Sequence, residues 1–323
     1  MAQPFGKRKG KSPCAASLRA RARSSNRGAV KPIVKWAGGK SRLLPELLKR
    51  IPGEIRTYAE PFAGGAALFF ALAASAAAGR RTFKRAVLSD ENQELVACYR
   101  AVRDSVDGVI AALGAYRYDK DLFYETRDRD PRAMTDVDRA ARLIFLNHTC
   151  FNGLWRVNAA GRFNVPFGRY KNPRILDEEG LRAASAAFAR TEVMHGDFAL
   201  ATRKLGRGDF VYFDPPYAPV SKTASFTAYA REGFDASDQE RLLDEFRALH
   251  ERGALAMLSN ADTKEMRALY KQFAVHIVYA PRSINSDGAK RGNARELLVT
   301  SWGMRGIYEE RPEAPPRTRA ARA

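Results

Sequence analysis

Two consecutive prolines, Pro215 and Pro216, follow closely behind the apolar run Asp209 to Phe213. Proline has a fixed φ and no amide hydrogen, so the pair can neither extend a strand ladder nor enter a helix interior. The run before them is aromatic and β-branched and reads as a strand, which hands the chain to a rigid tetrapeptide, Asp214-Pro215-Pro216-Tyr217. Similar short runs recur at Arg56 to Glu60, Arg85 to Ser89, Leu255 to Ser259, Val275 to Tyr279 and Leu297 to Ser301, with helical stretches between them. This alternation predicts an α/β fold, a sheet with helices on both faces. Ligands of such sheets bind beyond the carboxyl ends of the strands, so the residues after each strand are where chemistry is expected.

The alternation breaks between about residue 104 and residue 190. Ala141 to Asn147 and Leu181 to Arg190 read as helices there, and Phe151 to Tyr170 as an irregular polar and aromatic loop. The expected organisation is a catalytic domain of residues 31–104 and 191–305, divided by a separate helical insertion of residues 105–190. Residues 1–30 lack hydrophobic periodicity and read as a disordered basic arm, and residues 306–323, rich in Pro, Arg and Ala, as a disordered tail.

The formal net charge of +19 says more about partners than about fold. Nine basic side chains crowd the first 31 positions, and no acidic residue precedes Glu46. An arm of this kind alone is a solvated tail; excess positive charge in the body as well points to a nucleic acid. No apolar run approaches the roughly 20 residues of a membrane helix, so a soluble, cytoplasmic chain is expected, although the arm also fits an organelle transit peptide. Cys14, Cys98 and Cys150 are odd in number and widely spaced, which predicts neither a disulfide nor a bound metal.

The tetrapeptide suits one kind of chemistry. The exocyclic amine of a base is a poor nucleophile because its lone pair is delocalised into the ring. A carboxylate from Asp214 and a carbonyl freed by the prolines could accept its two hydrogens and release that lone pair, while Tyr217 offers a stacking face to an everted base. The plain alternative is a rigid turn. A second strand ends at Glu60-Pro61-Phe62-Ala63-Gly64-Gly65 and leads into an Ala-rich helix, with glycines that let backbone approach a ligand. The next ends at Asp90, whose carboxylate could accept from ribose hydroxyls or cap the following helix. Lys35-Trp36-Ala37-Gly38-Gly39-Lys40-Ser41 ends like a phosphate-binding loop, but that loop needs glycine at position 34, which is Val34, and no strand leads in.

Together these segments resemble the DNA adenine-N6 methyltransferases of the Dam-like, alpha-order family over about Pro32 to Ser301. Lys35 to Lys40, Glu60 to Gly65, Ser89 to Asn92, Phe151 to Tyr170 and Asp214 to Tyr217 match its pattern in order. The resemblance implies a Rossmann-like domain using S-adenosylmethionine, leaving S-adenosylhomocysteine and needing no metal. Cofactor contacts would fall on Trp36, Lys40, Glu60, Phe62, Gly64, Asp90 and Asp214, and on Asp197 and Phe198 of the segment His195 to Phe198, which a plain turn would equally explain. Asp214, Pro215, Pro216 and Tyr217 would be catalytic.

The loop Phe151 to Tyr170 interleaves arginines, amides and aromatics, a composition suited to reading base edges and filling the space left by a flipped base. By the same resemblance Lys35, Phe151, Asn152, Leu154, Arg156, Arg169 and Tyr170 would meet duplex DNA, within the target GATC. Phe151 departs from the tyrosine common in enzymes of that target. Ser225-Phe226, Tyr229 and Ser259 to Thr263 resemble segments around the target pocket. Arg282 to Ser286 with Lys290 and Arg291 reads as a phosphate-contacting loop or a solvated turn. A single acting chain associated with the nucleoid is the family's default. The alternatives are a cytosine-N4 methyltransferase, in which serine more often replaces Asp214, and a DNA-binding homologue with a decayed site.

Overall fold

The computed structural model describes residues 30–80, 82–217, 234–280 and 294–310. The basic arm before Val30 lies outside them, as do residues 311–323, Ser225, Phe226 and Tyr229, and Arg282 to Arg291.

The strands are β1 (Glu54–Glu60), β2 (Thr82–Asp90), β3 (Thr191–His195), β4 (Phe210–Phe213), β5 (Leu255–Ala261), β6 (Ala274–Ala280), β7 (Ala294–Thr300) and β8 (Gly306–Glu309). They form one sheet in the order β3-β2-β1-β4-β5-β7-β6-β8. Pairing is parallel from β3 to β5, and β7 runs antiparallel to both β5 and β6. All four residues of β4 are buried, as a central parallel strand covered on both faces requires. Successive side chains point to opposite faces: Phe210 and Tyr212 join one core and Val211 and Phe213 the other. The anticipated strands are all present, within three residues at each end. Asp209 stays outside β4 because its carboxylate accepts from the Gly206 amide at 3.0 Å and closes a turn.

The helices are α1 (Leu44–Arg50), α2 (Ala67–Ala77), α3 (Gln93–Asp104), α4 (Val106–Gly114), α5 (Lys120–Asp128), α6 (Asp136–Thr149), α7 (Glu178–Phe188), α8 (Phe198–Thr202), α9 (Ala236–Glu251) and α10 (Lys264–Leu269). Short polar residues start several of them: Asn92 accepts from Leu95 N, Asp119 from Leu122 N, Thr135 from Asp138 N, and Asp235 forms a capping box with Asp238. Buried Arg142 on α6 donates to the carbonyls of Thr126 (3.0 Å) and Arg127 (2.8 Å), which the end of α5 leaves unpaired. Among the described residues no helix is long and apolar enough to cross a membrane.

Three expectations change. The helix read to Arg190 ends at Phe188, and β3 follows at once as the sheet's outer strand. Residues 306–309, expected to open a disordered tail, instead form β8, which pairs with β6. Half-exposed Ile307 gives β8 little apolar signal. The insertion is no detached unit, because Phe123, Phe145, Leu181 and Phe188 share one continuous core with Tyr58, Leu88 and Phe210 of the sheet. Phe188 packs its ring 5.4 Å from Phe69 of α2 and 5.1 Å from Tyr99 of α3.

Phe188→Ala is therefore expected to destabilise insertion and sheet together, by about 3–5 kcal/mol, in a single unfolding transition. Urea unfolding followed by circular dichroism checks this, and a separate early transition for the insertion would contradict the shared core.

Candidate functional site

The carboxyl ends of β1, β2, β4 and β5 and the start of antiparallel β7 meet at one edge of the sheet. Asp214 leaves β4 there with its side chain 18% exposed. Its Oδ1 lies 2.8 Å from the Lys40 ammonium and accepts from the Ser259 hydroxyl at 2.9 Å. Burial pushes the Asp214 carboxyl up from the ordinary aspartate range, and Lys40 and Ser259 oppose that rise. Lys40 also donates to the Gly38 carbonyl (2.7 Å) and stands 4.5 Å from the centre of the Tyr217 ring. Tyr217 donates to Glu296 on β7 at 2.6 Å. Behind the tetrapeptide, Gln239 of α9 reaches the Pro216 carbonyl at 3.5 Å and takes a hydrogen bond from Asn260 at 3.2 Å.

The turn after β1 is built from both flanks. Asp90 accepts from the Gly64 amide on Oδ2 (2.9 Å) and from the Asn92 amide on Oδ1 (2.8 Å), so it ties the end of β2 to that turn while Asn92 caps α3. Gly64 has φ 45°, and a Cβ there would stand 2.9 Å from Trp36 Cδ1. Only glycine fits this left-handed, crowded position without strain. Glu60 turns inward: fully enclosed, it accepts from Tyr58 (2.8 Å) and from the Phe69 amide (3.2 Å). It thereby satisfies a first-turn donor of α2, whose own N-cap Ala66 has no side chain that can accept.

Asp197 caps α8 through the Ala199 amide (2.9 Å) and pairs with Arg241 (2.8 Å). Phe198 is buried, 5.5 Å from half-buried Phe62. Trp36, Lys40, Gly64, Asp90 and Asp214 are thus gathered at one edge, whereas Glu60 and Phe198 are packed behind it.

The loop expected to read bases is a narrow hairpin held by bridges between Cys150 and Phe167 and between Val157 and Phe163. Phe151, Asn152, Arg156 and Arg169 are exposed, and Leu154 and Tyr170 are half-buried. Asn152 has φ 54°, a conformation asparagine tolerates better than most side chains. Arg156 rests on the Asn164 side chain at 2.8 Å. Tyr170 donates to the Cys150 carbonyl (3.0 Å), and the Lys35 ammonium lies 4.8 Å from the centre of its ring.

Two contacts join this hairpin to the segment around Trp36. The rings of Trp36 and Trp155 stack at 6.2 Å. Buried Asn147 of α6 accepts from the Lys35 amide (2.7 Å) and donates to the carbonyls of Lys35 (2.8 Å) and Gly153 (3.1 Å). Asn147, Glu296 and Gln239 were not singled out from the sequence. Asn147 had a visible signal, an amide directly after the apolar run Leu143 to Leu146. Among the described residues no cluster of His, Cys, Asp or Glu could hold a metal ion. A cavity of about 280 Å³ opens at the opposite edge of the sheet, lined by residues that include Arg247, His250 and Arg305 and by no expected site residue.

A mainly parallel sheet in this strand order, with an aspartate, two prolines and a tyrosine at the end of its central strand, defines a Rossmann-like methyltransferase. The chain belongs to the D12 class of N6 adenine-specific DNA methyltransferases, whose family model matches residues 36–284. It is 41% identical over 286 residues to a type II methyltransferase of Lactococcus lactis subsp. cremoris, covering 86% of this chain and 98% of the relative. A type II methyltransferase of Methanocaldococcus jannaschii is 40% identical (84% and 99%), and the DNA adenine methylase of Escherichia coli K12 is 34% identical (83% and 94%). An rRNA methyltransferase structure from Streptomyces viridochromogenes aligns with 86% of this chain and 92% of its own at 16% identity and a TM-score of 0.34, too loosely to bear on the assignment.

Burial pushes the Glu60 carboxyl up to about 8, with Tyr58 and the Phe69 amide pulling the other way. Its folded value lies above the unfolded one, so its contribution favours folding at low pH and is lost as pH rises through that window. Glu60→Gln keeps an acceptor for both donors and cannot ionise. It is expected to gain stability relative to the parent steadily between about pH 5 and 8, as measured by urea unfolding; parallel curves would contradict a buried, titrating Glu60.

Proposed function

We propose that the chain methylates adenine N6 within GATC in duplex DNA, using S-adenosylmethionine and a target base turned out of the helix. The observation that carries this reading is the position of Asp214, which shares one pocket with the ammonium of Lys40 and the ring of Tyr217. The pocket suits a cationic cofactor. The carboxylates of Asp214 and Glu296 stand near the Lys40 ammonium, and Gly64, packed on Trp36, brings backbone beside Asp90.

S-adenosylmethionine held by Trp36, Lys40, Gly64 and Asp90, with Glu60, Phe62, Asp197 and Phe198 behind them, would supply a methyl group on a positively charged sulfur. The chain's part is to make the amine a nucleophile. Asp214 accepts one amine hydrogen and the Pro215 carbonyl, with no hydrogen-bond partner among the described residues, accepts the other. Both acceptors draw the nitrogen towards tetrahedral geometry and expose its lone pair. Tyr217, its hydroxyl anchored on Glu296, offers its ring to the purine. No covalent nucleophile is needed. Exposed Arg156, Arg169 and Asn152 can pair with base edges in the major groove, and Phe151 or Leu154 can fill the space left in the stack. Lys35 reaches DNA from beside Tyr170. Action as a single chain in the cytoplasm, at the nucleoid, fits this substrate.

Labelled S-adenosylmethionine incubated with duplexes carrying GATC, a scrambled site or N6-methylated GATC tests the reading. Label is expected in the first alone, and equal label in the scrambled duplex would sink the GATC assignment. Asp214→Ala is expected to abolish transfer while leaving DNA binding within a few-fold, and undiminished turnover would remove Asp214 from its role.

A further inference from the structure

Ser259 is fully buried on β5, beside the end of β4. The register pairs Tyr212 with Met257 and Phe213 with Leu258, which carries Ser259 to the level of Asp214. Strands lie about 4.8 Å apart, close enough for a serine hydroxyl to reach a neighbouring carboxylate. Ser259 Oγ lies 2.9 Å from Asp214 Oδ1 and 2.9 Å from the hydroxyl of Tyr212, which is also fully buried. A serine has one hydroxyl hydrogen, and an ionised carboxylate only accepts. The direction is therefore set: Tyr212 donates to Ser259, and Ser259 donates to Asp214.

Oδ1 receives the Lys40 ammonium as well, while no hydrogen bond to Oδ2 occurs among the described residues. The terminal torsion of a carboxylate is broad and about two-fold. Lys40, on a flexible stem, holds a distance better than it holds a plane. A second donor on the same oxygen, delivered from a strand, restricts that torsion.

We propose that Tyr212 and Ser259 are positioning residues that commit Oδ1 of Asp214 and so present Oδ2 to the amine hydrogen of the target adenine. The inference rests on Asp214 being the acceptor of that hydrogen. No loop takes part in the relay, since Tyr212 and Ser259 lie on adjacent parallel strands. Tyr212 acts only through Ser259.

The test is steady-state methylation of unmethylated genomic DNA by the full chain, so that the outcome does not depend on the target sequence. Ser259→Ala is expected to lower kcat roughly 10- to 100-fold, the scale of one hydrogen bond to a charged group, with little change in KM for DNA or cofactor. Ser259→Thr, which keeps the hydroxyl, is expected to restore most of the rate. Tyr212→Phe is expected to cost a few-fold, and to cost nothing more when added to Ser259→Ala. The pH profile supplies a readout that a packing role would not move. Besides Ser259, the titratable groups that interact with Asp214 are Lys40 before α1, Tyr58 and Glu60 on β1, Tyr212 on β4, Tyr217 and, on β7, Glu296. Removing the Ser259 donor takes away a hydrogen bond that favours the ionised carboxyl, so the acidic limb of kcat is expected to move to higher pH.

An unchanged kcat in Ser259→Ala, an unmoved limb, or an additive double variant would overturn the relay. Asp214→Ala, assayed alongside, keeps the two readings apart, because it removes every side-chain acceptor whereas asparagine would retain one. A dead Asp214→Ala with a fully active Ser259→Ala removes the relay alone, whereas an active Asp214→Ala removes the acceptor role on which it rests.

Discussion

An aspartate largely withdrawn from water keeps its charge only if donors near it replace the lost solvation, and at Asp214 two side chains do so. Lys40 comes from the turn before α1 and Ser259 from β5, while Asp214 itself ends β4. Three stretches of chain, the first and last more than 200 residues apart, must be in register before one carboxylate is stable in its ionised form. Placing β4 at the centre of the sheet, between β1 and β5, is what makes this convergence possible. Antiparallel β7 starts at the same edge and brings Glu296 to Tyr217.

The same dependence extends to the hairpin of residues 151–170. Asn147 holds the backbone on both sides of the junction, at Lys35 and at Gly153, and the stacked Trp36 and Trp155 close it. A displacement of the hairpin would therefore be felt at the turn that carries Lys40. This is the physical consequence of an insertion that shares its core with the sheet: the hairpin and the strands that position Asp214 belong to one packed body.

Much of this was legible in the sequence, for identifiable reasons. Strands buried on both faces write themselves as continuous apolar runs, and Pro215-Pro216 marks where β4 must stop. The outer strands were not legible. In β3, exposed Glu192 and His195 interrupt the apolar pattern of Val193 and Met194, and β8 is mostly exposed. Asp214, Lys40, Tyr217 and Asp90 stood out because glycine, proline and carboxylates cluster around them. Glu60 was expected at the cofactor, yet it faces the amide of Phe69, because a helix opening on Ala66 needs an acceptor from elsewhere. Glu296 could not be found from spacing, since its partner lies 79 residues away and meets it only through the antiparallel turn of the sheet.

The most direct test of the account is the identity of the methylated base. Unmethylated DNA incubated with the purified chain and S-adenosylmethionine, digested to nucleosides and analysed by mass spectrometry, is expected to contain N6-methyladenine as its sole new modified base. Methyl groups on cytosine, or none on any base, would contradict it.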